Sequence, residues 1–278
     1  MLGKLMKHEF RATARLMLPL FGVVLLLGLF TRISAYSLTN AEMPLQTIAT
    51  LITVAFVIAL IVVAVFSVVL MVSRFYKNLM TDEGYLMFTL PVSIHQILWS
   101  KLIVAAVWFI ATFLVDALAV MIVAYEGGML RDLLDIAAQF FAEIDTYYAL
   151  NGAAFALELL VLVLLSLIVS CLNFYAPIAI GNSFANHKTL LSVVFYFALS
   201  IFWQVFYTTI GLRALYSFTT SDSMSSSISS SVTTANTLPA AMTFMHNTMF
   251  ITIGAMLFTG AVMYVLTWYM LRKHRNLQ

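Results

Sequence analysis

Six stretches of this sequence are too long and too apolar to suit anything but a membrane interior. They cover about 16–33, 44–72, 102–125, 149–180, 190–212 and 248–271. A helix needs about 20 mostly apolar residues to cross a hydrocarbon core about 30 Å thick. Lipid offers no water to backbone N–H and C=O groups, so a spanning segment must pair them in a helix or a closed barrel. Barrel strands alternate polar and apolar side chains, and residues 51–70 do not. The expectation is an all-α integral membrane protein, a single transmembrane domain over 1–278 with six transmembrane helices. Composition agrees: 63% of residues are hydrophobic and 9% charged, against about 45–50% and about 25% in soluble domains. An ordinary soluble enzyme and a disordered chain are excluded. The one cysteine, Cys171, leaves no internal disulfide and no cysteine-based zinc site.

The distribution of basic residues predicts orientation. With both termini in the cytoplasm, the inner side holds Lys4, Lys7, Arg11, Arg15, Arg74, Lys77, Lys101, Lys188, Arg272, Lys273 and Arg275. The outer side holds only Arg32, Arg131 and Arg213. Inverting the chain would reverse that bias and break the positive-inside rule.

Four polar segments punctuate the spans. Residues 1–15 form an amphipathic pattern, with Leu2, Leu5, Met6 and Phe10 on one face and Lys4, Lys7, Arg11 and Arg15 on another. Such a helix lies in the inner interface against anionic head groups; a basic flank that only sets topology is a compatible reading. Residues 74–101 form the longest cytoplasmic connection, too polar to span and too apolar for a plain loop. Asp82 or Thr81 caps a short helix there, Pro91 ends it, and Ser93 with Gln96 has the spacing of a capping box that starts the next helix near Ile94. Its apolar side chains pack on a partner protein or on the inner ends of the chain's own helices. Residues 126–148 read as an outer amphipathic helix, lying on the membrane or capping the bundle. Leu130, Leu133, Leu134, Ala137, Phe141 and Ile144 oppose Asp132, Asp135, Gln139 and Glu143. Residues 213–247 read as an outer loop with a Ser-rich centre.

Catalytic signatures are missing. The chain has no phosphate-binding G-x-x-x-x-G-K-[ST] loop, no nucleophile elbow and no H-E-x-x-H pair. His8, His95, His187, His246 and His274 have no metal-ligand spacing. No enzyme activity, no metal, no cofactor of its own and no nucleic-acid partner are expected. Two acids lie within spans, Asp116 and Glu158. A charge at mid-membrane costs about 2.5–3.5 kcal/mol on insertion scales, so such residues face the protein or a water path. They are candidates for substrate contact, gating or a proton relay. The competing reading is a hydrogen-bonded structural acid. Pro177 is placed to kink the fourth span.

The stretch from Phe75 to Lys101 closely resembles the first cytoplasmic loop of ABC-2 type transporter permeases of Gram-positive bacteria. The matching residues are Phe75, Tyr76 and Lys77, then Asp82, Glu83, Gly84, Tyr85 and Leu86, then Thr89, Leu90, Pro91, Val92 and Ser93, and finally Lys101. The resemblance covers about a tenth of the chain and implies the membrane subunit of a bacterial ABC exporter. It implies a cytoplasmic ATPase partner carrying ATP and Mg, and a second permease copy or a sister permease. The coupling residues so implied are Lys77, Asp82, Glu83, Gly84, Tyr85, Leu86, Phe88, Thr89, Leu90 and Pro91. Export of a lipid-like, peptide or drug-like substrate across the bacterial cell membrane follows from the same resemblance. Relatives carry short re-entrant helices between the fifth and sixth spans, where this chain is Ser-rich. The rival readings are an ion-coupled carrier using Asp116 and Glu158, and a non-transporting anchor or sensor subunit.

Overall fold

Backbone groups removed from water must satisfy one another, and an α-helix does so within one segment. In the computed structural model every regular element among the described residues is a helix. The described residues are 2–38, 43–81, 84, 91–125, 129–148, 152–184, 187–219 and 237–273. They form α1 (Leu2–Leu38), α2 (Met43–Met80), α3 (Ile94–Ala124), α4 (Met129–Tyr148), α5 (Gly152–Gly181), α6 (Lys188–Thr219) and α7 (Thr237–Lys273). All but α4 are long and apolar enough to cross a membrane, in agreement with the six expected spans.

The helices overrun the expected spans. The segment 1–15, expected as a separate interfacial helix, instead continues into the first span, and Leu2–Leu38 is one helix of 37 residues with Pro19 inside it. Helix α2 has 38 residues. At about 1.5 Å per residue, each is close to twice as long as the hydrocarbon core is thick. Helix α5 likewise runs unbroken past Pro177, four residues before its last residue. In the expected outer loop 213–247, residues 213–219 and 237–247 are helical, while 220–236 lie outside the described residues.

The chain folds as two compact units, divided after Met129. In the first, α1 packs against both α2 and α3. Glu9 meets Lys101 and Arg32 meets Val123, so α1 and α3 run parallel. Asn78 near the end of α2 reaches Glu9 near the start of α1, so α2 runs the other way. Close approach depends on Gly28: a Cβ there would stand 3.3 Å from the Ala119 carbonyl oxygen of α3 and from the Phe56 ring of α2. Met17, Val24, Phe75, Leu79, Leu98 and Leu102 fill the interior.

In the second unit α5 packs against α6 and α7. Phe174 stacks on Tyr196 across α5 and α6, and the Tyr207 hydroxyl of α6 donates a 2.9 Å hydrogen bond to Thr259 Oγ1 of α7. Val169 of α5 touches the Gly260 position of α7. Large apolar side chains such as Leu51, Ile61, Phe113 and Ile201 remain exposed on the spans. That surface is what lipid covers in a multi-pass membrane protein.

Candidate functional site

A charge on the apolar stripe of a helix demands a partner, because an isolated ion is costly away from water. Glu9 lies on the stripe formed by Leu2, Leu5 and Met6, at helical spacings of seven, four and three. Lys101 occupies the equivalent position on α3, among Ile97, Leu98 and Leu102. The fold brings the two together. Lys101 Nζ donates to Glu9 Oε1 at 2.6 Å, and the side chains are 3% and 11% exposed. Asn78 Nδ2 of α2 donates to the same oxygen at 2.9 Å. One carboxylate thus ties together three helices. One turn further along α1, Arg74 Nη2 of α2 donates to the Ala12 carbonyl at 3.1 Å. Phe10 and Phe21 flank Trp108 at ring-centre distances of 6.2 and 6.0 Å.

This cluster stands where α2 ends and α3 begins, at the two roots of the segment that carries the family-like motif. Lys77 is exposed on the last turn of α2, where its charge complements the helix dipole. Phe75 and Leu79 on the same turns point inward and are fully buried. Gly84 is buried, and its amide donates to the Thr81 carbonyl at 2.8 Å. A Cβ on Gly84 would lie 2.7 Å from the Leu79 carbonyl oxygen, so the turn has room only for glycine. Pro91 is exposed. Ser93 caps α3 as its spacing predicted: Ser93 is extended, with φ −74° and ψ 149°, and its Oγ accepts from the Gln96 amide at 3.3 Å. Asp82, Glu83, Tyr85, Leu86, Phe88, Thr89 and Leu90 lie outside the described residues, and so does the expected short helix there.

The two in-span acids belong to different units. Asp116 lies on α3 in the first, half-buried, and its Oδ1 is buried with no hydrogen-bond partner. Glu158 lies on α5 in the second. Its Oε2 stands 3.1 Å from His246 Nδ1 on α7, a contact at ion-pair distance but not aligned as a hydrogen bond. The His246 ring meets Phe250 edge-on at 4.7 Å. His246 is 88 positions from Glu158 along the sequence, and only helix packing joins them. Sequence reasoning missed Glu9 and Asn78, although the charge on the stripe of α1 was a legible signal. Among the described residues no three metal-ligating side chains converge.

Set against models of known protein families, curated proteins and solved structures, the chain matches none. Its six long apolar helices make it a multi-pass membrane protein.

Proposed function

We propose that this chain is the permease subunit of an ABC-2 type transporter in a bacterial cell membrane. It passes the work of ATP hydrolysis, performed in a separate cytoplasmic ATPase subunit with ATP and Mg, to export of a lipid-like, peptide or drug-like substrate. A second copy or a sister permease completes the path. The reading rests on the motif from Phe75 to Lys101, and the observation that best supports it is where that motif is rooted. Its first root, α2 through Asn78, and its last, Lys101 of α3, are both held by Glu9 of α1. A push on the intervening segment then moves three helices as a body instead of bending a loop. The ATPase supplies the phosphate loop that this sequence lacks.

The test is co-expression with ATPases of the same genome and purification through a tag on this chain. Stable recovery of one ATPase, lost when residues 82–91 are replaced by a Gly/Ser linker, is the expected result. Recovery of no ATPase by a well-folded sample sinks the proposal.

One observation favours the carrier reading instead: the unpaired buried oxygen of Asp116. That reading expects uptake or efflux in vesicles lacking any ATPase, driven by an ion gradient and abolished in Asp116→Asn. An anchor or sensor subunit binds the ATPase yet moves no substrate in either assay.

A further inference from the structure

Helix α4 is the one described helix that does not qualify as a span, and its apolar face is largely uncovered. Leu133, Leu134, Phe140 and Phe141 are exposed, Leu134 at 63%. Asp132, Asp135, Gln139 and Glu143 occupy the opposite arc. Among the described side chains its seat on protein is toward the far end: Ile144 is buried, and the Phe140 ring meets Phe155 of α5 edge-on at 6.1 Å.

We propose that α4 lies in the membrane interface, with this apolar face sunk among the lipid acyl chains and its acidic face in water. Three observations commit the face to lipid. First, the helix is tethered at both ends. Residues 125–128 join it to α3 and 149–151 join it to α5, and both neighbours are span candidates. Links this short reach no more than roughly 15 Å at about 3.5 Å per residue. A 20-residue helix, about 30 Å long, is thereby held against the surface along its length. Second, the next span of the same unit is itself lipid-facing where it follows α4: Leu157 and Leu160 near the start of α5 are exposed as well. Third, the geometry suits such a helix: a wide apolar arc opposite a mostly acidic one is the pattern that buries about 5–10 Å into the head-group boundary. Arg131 is the only basic residue on α4. Its affinity is therefore hydrophobic and requires no anionic lipid.

The inference does not depend on the transporter reading. It is tested on the full chain in vesicles of phosphatidylcholine alone. Cys171, the only cysteine, is replaced by alanine, and single cysteines are placed at 133, 134 and 137 or at 132, 135 and 139. Each carries an environment-sensitive fluorophore. The expected result is blue-shifted emission at the first three, quenched by a nitroxide near the lipid head group and untouched by aqueous iodide. The second three should show the reverse. On the unmodified chain, a carbene reagent dissolved in the lipid should mark Leu133 and Leu134 and spare Asp132 and Asp135. Iodide quenching at all six positions overturns the proposal by placing α4 in water. Shielding of 133, 134 and 137 from both quenchers overturns it by placing a protein surface, such as a second copy, on that face.

Discussion

At Glu9 a single carboxylate accepts from a lysine and an asparagine on two other helices. Breaking a buried pair by removing one partner leaves an uncompensated charge and costs about 3–5 kcal/mol. Glu9→Ala should therefore lower the thermal unfolding midpoint in detergent sharply, and Lys101→Met should do much the same. Glu9→Leu combined with Lys101→Met should recover most of the loss, since apolar replacement of a whole buried pair is often neutral. A double variant no better than the singles refutes the pairing. Gly28 makes a second residue-scale prediction. Its missing Cβ leaves room for Ala119 and Phe56, so Gly28→Val should overpack the α1–α3 contact and destabilise by about 1–3 kcal/mol. Unchanged unfolding would show that the helices have slack there. Neighbour identity is where reading the sequence stopped. The stripe position of Glu9 shows that a partner is needed, but which cation answers depends on helices 92 positions apart meeting.

Among elements, α3 has the clearest local cause. Ser93 Oγ supplies a side-chain acceptor to the first-turn Gln96 amide, which also donates to the Ser93 carbonyl at 3.0 Å. Ser93→Ala should cost about 1 kcal/mol, seen as faster hydrogen exchange at 95–97 with the rest of α3 unchanged. Unaltered exchange there would mean the cap contributes nothing. This start was legible because capping is local, spanning three residues. The continuity of α1 was not. Its basic first half and apolar second half read as two elements, because composition changes near Arg15. Packing overrides that change: Glu9, Thr13, Met17, Phe21 and Val24 form one buried line along a single helix face. Pro19, having no N–H, costs one helix hydrogen bond in a helix held by its neighbours.

For the whole molecule, the two units are each held by contacts between their own helices. A protease site inserted within 220–236 should, once cut, leave α7 bound to α5 and α6 through a mild-detergent size-exclusion column. Separation of the fragments would show that the covalent link, not packing, holds the second unit. The Gly/Ser replacement of 82–91 should likewise leave the first unit folded, because Glu9, Asn78 and Lys101 lie outside the replaced segment.

The sequence by itself determined that the chain is helical and that it crosses a membrane about six times. Those properties follow from local quantities: the length of an apolar run, the need of backbone groups for partners away from water, and the side chains available to cap a helix. Only the tertiary structure decided that Glu9 reaches Lys101 and Asn78, that His246 stands beside Glu158, and that Asp116 and Glu158 lie in separate units. Contacts between helices depend on which faces meet and at what height. In an interior where almost every side chain is apolar, hydropathy marks all faces alike and leaves that choice to packing.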